Sequence, residues 1–411
     1  MTENEAERIL KATDRVRRGA YESEHETAIF LAEECKKRGI EAKFEKFDMP
    51  VYAIKSASLI ANGENILCEA VDGCACGTIE APFIYLPVIN PRCAKLAKGK
   101  IAMTDVYFPR FFNYTDLADA GVVGLISHNG GRFNRDEDID RKEMRDYTLN
   151  GRKIMPAVNI QANESVRLVR MAPKTVRITV DQEVNTGYSQ NVIAEIPGET
   201  DEWIIMTAHY DTTFLSHGQY DNMTGCITLL RTLEEVQKNA PNRRGIRIMF
   251  TGCEERGLIG AKEYIKAHRE ELDKIALCVN IDMVGSVMGP LGVRVSAEEK
   301  LAHHVESLCD EYGIPADVKQ GLLSSDSTPF ADAGVPAISF SRVSPLDWNM
   351  IHSRYDTVEM LSIPQLIKDG GLVADFVLRM ANAVCLPVSR DMPEKLKKDL
   401  DEYMGRKRRS N

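Results

Sequence analysis

Two glutamates stand side by side in the stretch FTGCEERGLIGAKEY (250–264), where an apolar run gives way to a helical pattern. Glu254 and Glu255 follow the run GIRIMF, which is typical of a buried strand. Two adjacent carboxylates are costly at a buried position unless cations lie beside them. The pair therefore indicates that a positively charged group binds at the end of this strand.

Two histidines and further acids follow other apolar runs in the same way. His209 and Asp211 come after WIIMTA, Asp282 ends the run IALCVNID, and Asp221 lies in the loop GQYDNMTG before a helical segment. His352 follows the run AISFS and a loop. Because ligands of open α/β sheets bind beyond the carboxyl ends of the strands, we expect these side chains to meet at one edge of one sheet.

This combination of imidazoles and carboxylates, without cysteine, suits zinc and also manganese or cobalt. A carboxylate can bridge two ions about 3.5–4 Å apart, the arrangement that activates one water in two-metal hydrolases. One acid must then stay off the metals to accept the proton of that water. Since adjacent residues on a turning backbone point in different directions, Glu255 can bind a metal while Glu254 faces the water.

The elements that must position these residues begin near Asn191. The strand-like runs NVIAEI, WIIMTA, GIRIMF, IALCVNID, GVRVS and AISFS alternate with helical segments at about 223–238, 257–268, 298–312 and 363–385. Such alternation, with runs this apolar, predicts an α/β fold built on a mixed, mostly parallel sheet with helices on both faces.

The chain has a different character before this region. Two amphipathic helices are expected at about 4–18 and 23–38, and short strand-like runs with turn signals fill the following part. We predict four regions: an N-terminal part of the main domain at 1–50, a β-rich insert at 51–186, the catalytic domain at 187–390, and a charged C-terminal tail at 391–411 that forms a loose helix.

Six stretches make residues 190–385 resemble the zinc aminopeptidases of peptidase family M28. They are AHYDT (208–212), DNMTG (221–225), EERGLIGAKEY (254–264), NIDMVG (280–285), SDSTPF (325–330) with AGVPAIS (333–339), and HSRYDT (352–357), in the family's order and spacing. The resemblance implies the α/β/α sandwich of the zinc peptidases and phosphorylases. It also implies two divalent metal ions, with zinc the expected metal, and release of N-terminal residues from peptides.

The roles of individual residues come from this resemblance. The implied metal ligands are His209 and Asp282 on one ion, Glu255 and His352 on the other, and Asp221 bridging both. Glu254 would be the general acid/base, and Asp211 would hydrogen-bond the ring of His209 and fix its tautomer. The resemblance further implies a cis peptide bond at Asp221–Asn222. Asp326 and Asp356 are expected to cap helices or to support the ligands.

The insert resembles a protease-associated (PA) domain through GKIAMTDV, DLADAGVVGLISH and MPAVNIQANESVRLV. Many members of the family carry such a domain, which shields the active-site cleft or takes part in assembly. The resemblance therefore assigns 51–186 to a PA-like domain.

Two positions depart from the family pattern. Tyr220 stands where many relatives have a second aspartate, and Ile351 stands where one group carries a tyrosine that stabilises the developing oxyanion. Tyr220, Tyr355 and Trp348 are alternative donors. The loop RVSPLDWNM (342–350) is expected to line the specificity pocket.

Two other kinds of function stay open at this point. An enzyme of the same fold could perform another reaction, such as glutaminyl cyclisation or carboxypeptidase action. A receptor-like binding protein is the second alternative, but such relatives lose metal ligands, whereas every ligand position of this chain is filled.

The composition of the chain indicates which classes of binding partner and which cellular location to expect. The formal net charge of −9 argues against nucleic acid, and no apolar run reaches the ~18 residues that a membrane span needs. The ten cysteines lack a disulfide framework, and the N-terminal segment lacks the apolar core of a signal peptide, so we expect a cytoplasmic protein. Peptides are the expected partners, and a homodimer is the assembly to test.

Overall fold

A computed structural model of the chain describes residues 1–105, 108–131, 134–343 and 350–408. The chain forms two compact units. The first comprises Met1–Met49 and Gly187–Lys407, and the second comprises Pro50–Thr186 with the described residue Arg408. In the described ranges, no helix is long and apolar enough to cross a membrane.

The strands are numbered along the chain. They are β1 (Ala42–Ala61), β2 (Glu64–Ile66), β3 (Cys68–Ala70), β4 (Gly77–Leu86), β5 (Ile101–Thr104), β6 (Gly124–Asn129), β7 (Ala157–Gln161), β8 (Thr175–Ile196), β9 (Trp203–His209), β10 (Gly245–Thr251), β11 (Ile275–Ile281), β12 (Leu291–Ser296), β13 (Ala316–Gln320) and β14 (Ala337–Ser341).

The α-helices are numbered in the same way. They are α1 (Glu3–Ala12), α2 (Glu22–Lys37), α3 (Pro91–Ala94), α4 (Phe112–Asp119), α5 (Asp146–Leu149), α6 (Ala162–Met171), α7 (Thr224–Lys238), α8 (Ile259–Ala267), α9 (Glu299–Glu311), α10 (Ser327–Asp332), α11 (Ile363–Asn382) and α12 (Glu394–Tyr403). Short 3₁₀ segments lie at Lys95–Ala97, Arg269–Lys274 and Val358–Met360.

In the first unit the sheet has the order β13-β12-β14-β11-β9-β10-β8. Along this order of described strands, four of the six pairings are parallel, namely β12 with β13, β11 with β14, β9 with β11, and β9 with β10. The pairings of β12 with β14 and of β10 with β8 are antiparallel. The predicted mixed, mostly parallel sheet is confirmed.

Helices cover both faces of this sheet. Ile204 and Met206 of β9 pack in one buried cluster with Leu230 of α7 and Phe376 of α11. Ile205, which lies between them, packs in a second cluster with residues of α8, α10 and α12. Because successive side chains of a strand point to opposite faces, this alternation places helices on both sides, as predicted.

The second unit is built on strands in the order β8-β4-β5-β6-β7-β3, with β2 paired to β1. Its central pairings, β4 with β5, β5 with β6 and β6 with β7, are parallel. Ile101, Leu125, Ala157 and Ile178 belong to its own buried cluster.

The helices and strands that precede the candidate ligands are confirmed to within three residues, but both ends of the chain differ from expectation. The first helix is expected to reach residue 18 and instead ends at Ala12, because the residues that follow bind another part of the chain: Arg17 N–H donates to Thr212 Oγ1, and Thr212 N–H donates to the carbonyl oxygen of Arg17. The C-terminal helix is not loose, since Leu396 and Leu400 of α12 are buried.

Candidate metal centre

The sheet of the first unit brings the ends of four parallel strands together. His209 is the last residue of β9, Asp282 follows β11 directly, and Glu254 and Glu255 follow β10 after a short turn. Asp221 lies in the irregular turn Gln219–Met223 that precedes α7. β9 pairs in parallel with β10 and β11, so the carboxyl ends of these strands lie at one edge. The turn before α7 and the segment after β14 supply Asp221 and His352.

Asp221 lies between two histidines. Its Oδ1 is 3.0 Å from His209 Nε2, and its Oδ2 is 3.2 Å from His352 Nε2. His209 Nε2 is also 3.5 Å from Asp282 Oδ1, and His352 Nε2 is 3.0 Å from Glu255 Oε1. The five side chains thus form two groups that share Asp221, and the ligand atoms in each group lie within 4.8 Å of one another.

The contacts of His209 test whether this arrangement fits a cation. Its Nδ1 is 3.1 Å from the carbonyl oxygen of Asp211, so this nitrogen is suited to donate a hydrogen bond. In that neutral tautomer Nε2 carries a lone pair, yet it faces oxygens of both Asp221 and Asp282. Asp282 Oδ1 is buried and accepts no hydrogen bond from the described residues, and His209 Nε2 lies 3.5 Å from it. A divalent ion among these three side chains would satisfy all of them, so the residues fit a metal.

The electrostatics of the centre agree with this fit. Burial alone would lower the pKa of His209, but the surrounding carboxylates, Glu254 foremost, outweigh it and raise this pKa well above its ordinary value. His352 behaves alike, with Glu255 as the main carboxylate that opposes burial. Burial raises the pKa of Glu254 well above its ordinary value. The charge of His209 opposes this rise, and the neighbouring Glu255 adds to it. The acids of the centre therefore require a concentrated positive charge, from imidazolium or from bound cations.

Asp211 holds the glutamate pair in place. Its Oδ1 accepts the N–H of Glu254 at 2.9 Å, and its Oδ2 accepts the N–H of Glu255 at 3.2 Å. The same Oδ1 is 3.7 Å from His209 Nδ1, farther than the main-chain oxygen of Asp211. The carboxylate thus fixes the backbone from which the two glutamate side chains diverge, which explains how two like charges are kept adjacent.

Asn222 connects the Asp221 turn to the end of β11. Its side chain donates to the carbonyl oxygen of Ile281 at 2.8 Å and accepts the N–H groups of Met283 at 3.1 Å and Gly225 at 3.0 Å. The peptide bond Asp221–Asn222 is cis, as the family resemblance implied. The residues on either side of Asp282 are therefore bound to the turn that carries Asp221.

Two supporting residues were undervalued or missed from sequence. Asp356 is buried and accepts the N–H groups of Tyr220 at 2.8 Å and Asp221 at 3.2 Å, together with the hydroxyl of Ser216 at 3.1 Å. Its place in HSRYDT was the available signal. Arg17 is fully buried and binds the segment between His209 and Asp221, and no local pattern marks it.

Asp326, expected to be a cap or a supporting residue, is fully buried and accepts a hydrogen bond from Thr251 at the end of β10. Burial raises its pKa to about 7. It lies among the supporting residues of the strand that leads to the glutamate pair.

The alternative oxyanion donors have different fates. Tyr220 is fully buried and donates its hydroxyl to the carbonyl oxygen of Arg342, so it cannot reach a substrate. Tyr355 lies three residues after His352 and is partly exposed, so it stays a candidate donor. Trp348 and most of the expected pocket loop 342–350 lie outside the described residues.

Comparison with known proteins adds an independent line. Residues 191–377 match the model of peptidase family M28. Aminopeptidase YwaD of Bacillus subtilis (strain 168) is 25% identical over 372 residues, which cover 85% of this chain and 78% of that protein. Carboxypeptidase Q of Xenopus laevis is 26% identical over 301 residues, which cover 64% of this chain and 59% of that protein.

Among solved structures, the zinc aminopeptidase BSAP from Bacillus subtilis superimposes with a TM-score of 0.77 at 24% identity. The match covers 96% of this chain and 98% of that one. At this identity the likeness shows a shared fold.

Proposed function

Because residues 191–377 belong to peptidase family M28, we propose that this protein is a zinc-dependent aminopeptidase that hydrolyses the N-terminal peptide bond of peptides. The similarity to aminopeptidase YwaD supports this substrate class. The observation that carries the proposal is the carboxylate of Asp221, which is shared between two groups of candidate ligands.

The ligands divide between two ions. His209 and Asp282 would hold one zinc, Glu255 and His352 would hold the other, and Asp221 would bridge both. Two zinc ions bound here would supply Lewis acidity and would lower the pKa of the attacking water.

Glu254 is the proposed general acid/base. It is nearly buried, and its carboxylate belongs to neither group of candidate ligands, so it is free of the metal role given to Glu255. Burial and the neighbouring acids raise its pKa, which suits a group that accepts a proton from water and passes it to the departing amine. Asp211 holds the backbone of both glutamates and contacts the ring of His209.

Further proposals concern the rest of the protein. We propose that 51–186 form a PA-like domain, supported by the separate core of the second unit, and that 187–390 with 1–50 form the catalytic domain. Cytoplasmic localisation is supported by ten free cysteines. A homodimer is proposed as the assembly.

A second candidate function is carboxypeptidase action, which the similarity to Carboxypeptidase Q favours. The two differ in which end of the peptide is cut. A dipeptide blocked at its N-terminus is cleaved by a carboxypeptidase but not by an aminopeptidase. A dipeptide with a free N-terminus and a C-terminal amide is cleaved by an aminopeptidase but not by a carboxypeptidase. Cyclisation of an N-terminal glutamine would identify the glutaminyl cyclase alternative.

The decisive experiment combines metal analysis with aminoacyl substrates. The wild-type protein is expected to bind two zinc ions, to lose activity on chelation, and to regain it with zinc or cobalt. An active protein with one ion at saturation would contradict the shared role of Asp221.

Substituting the glutamates separates their roles. Glu254→Gln should keep both metals while kcat falls by about 10²–10⁴ and KM changes little. Glu255→Gln should weaken one metal, and excess zinc should restore part of the activity. The opposite pattern would exchange the two roles.

A further inference from the structure

Arg17 is buried without a carboxylate partner among the described residues. Its guanidinium donates to main-chain carbonyl oxygens: Nε to Tyr210 at 2.8 Å, Nη2 to Gly218 at 2.9 Å, and Nη1 to His217, Thr13 and Arg15. Burial lowers its pKa to about 10, so it stays cationic at neutral pH. A buried charge that binds only carbonyl groups costs more than a paired one, and its presence at this position calls for a reason.

The carbonyl groups that Arg17 binds identify that reason. Tyr210, His217 and Gly218 lie on the segment 210–218, which begins directly after His209 and ends shortly before Asp221. One guanidinium therefore ties both ends of this segment together. The backbone adds two further bonds, from Arg17 N–H to Thr212 Oγ1 at 2.9 Å and from Thr212 N–H to the Arg17 oxygen at 3.1 Å.

The same segment is also bound by Asp356. Ser216 donates its hydroxyl to Asp356 and accepts the N–H of Gly218 at 2.9 Å. The carboxylates of Asp211 and Asp356 also favour the charge of Arg17. Arg17 thus compensates part of the negative charge around the candidate centre and fixes the chain between two of its ligands.

We propose that Arg17 is a positioning residue of the metal centre, acting through segment 210–218. The inference rests on the proposed function in one respect, namely that His209 and Asp221 bind metal. A guanidinium offers five N–H donors in a fixed plane, whereas an ammonium offers three donors at one point. Lysine would keep the charge and lose the simultaneous hold on both ends of the segment.

The test compares Arg17→Lys and Arg17→Gln with a matched control, Arg244→Lys. Arg244 is also buried and donates to the carbonyl oxygens of Met380 and Ala383, although it also pairs with Glu202 at 2.9 Å, and it precedes β10 at the end opposite the centre. For each full-length variant we would measure deuterium uptake of segment 210–218, zinc affinity by competition with a chromophoric chelator, and kcat.

Both Arg17 variants should show faster deuterium uptake in 210–218 and about 10–100-fold weaker zinc binding, whereas Arg244→Lys should match the wild type in both. If Arg17 only stabilised the fold, its variants would have a lower unfolding temperature. Their zinc affinity, measured well below that temperature, would be unchanged. Such a result overturns the proposal, as does an Arg17→Lys variant with wild-type zinc affinity.

The deuterium measurement separates the inference from the proposed function. It needs no metal, so unchanged uptake in 210–218 refutes the role of Arg17 whatever the protein catalyses. A wild-type protein that binds zinc but cleaves no peptide refutes the proposed function and leaves the Arg17 result standing. If one Arg17 variant does not accumulate as folded protein, the other supplies the test. Faster uptake in 210–218 with weaker zinc binding supports the proposal, and wild-type values of both contradict it.

Discussion

Replacing Gly225 with alanine would add one methyl group at the start of α7, beside the turn that carries Asp221. That methyl carbon would lie 2.5 Å from Asn222 Oδ1, 2.7 Å from Asn222 Nδ2 and 2.6 Å from the carbonyl oxygen of Ile281. All three distances are shorter than real contacts allow. The backbone of β11 cannot retreat freely, so the Asn222 side chain must move, and its bonds on either side of Asp282 must weaken.

The magnitude follows from three contributions to the free energy of unfolding. Overpacking costs about 1–3 kcal/mol, and the weakened hydrogen bonds of Asn222 cost about 1 kcal/mol each. Alanine in place of glycine favours a helix by at most about 1 kcal/mol. We therefore expect Gly225→Ala to destabilise the metal-free protein by about 2–4 kcal/mol. Zinc binding should weaken about 10–100-fold, because Asp282 shifts relative to Asp221.

Gly371→Ala is the matched control. Gly371 also lies in a helix, α11, but its added methyl would meet the far end of the long Arg231 side chain, at 3.1 Å from Nη2, and no backbone atom. This variant should be as stable as the wild type or up to about 1 kcal/mol more stable. The assay is urea denaturation in the presence of chelator, followed by zinc titration of the folded protein. Equal stability of the two variants, with wild-type zinc affinity for Gly225→Ala, would refute the rigid Asn222 connection.

Three other predictions concern single side chains. Asp356→Asn should lower kcat about 10–100-fold, because an amide replaces the carboxylate that accepts the N–H of Asp221. The measurement is steady-state kinetics, and a wild-type kcat would contradict this prediction. Tyr220→Phe should change kcat less than about threefold, since the lost hydroxyl bonds the Arg342 carbonyl; a hundredfold loss would return Tyr220 to the list of oxyanion donors. The pKa of Glu34 is lowered to about 2, because three cationic partners outweigh the opposing effect of burial. The folded-state pKa lies below the ordinary 4.5, so this stabilisation is full above pH 4.5 and is lost as the pH falls toward 2. Glu34→Gln should therefore lower the free energy of unfolding by about 1–2 kcal/mol at pH 7 and by little at pH 2.5. Urea denaturation at both pH values measures this, and an equal loss at the two values would contradict the assigned pKa shift of Glu34.

The sequence by itself determined which chemical groups are present and where along the chain they fall. The apolar runs before His209, Glu254 and Asp282 predicted strands, and a parallel sheet sends the ends of such strands to one edge. This reasoning required only local periodicity and the chemistry of each side chain. The assignment of individual ligands needed the family resemblance, because spacing alone does not distinguish a bridging acid from a terminal one.

Only the tertiary structure decided what holds those groups in place. Arg17 binds Gly218 across 201 positions of sequence, and Asp356 binds Tyr220 across 136. The tertiary structure also ended the first helix at Ala12. The residues after it fit a helical pattern in the sequence, but they form the non-helical segment that carries Arg17. Hydrogen bonds over such separations depend on the order of strands and on which side chains become buried together. Local periodicity carries no information on either, so these partners become visible only when the chain is folded.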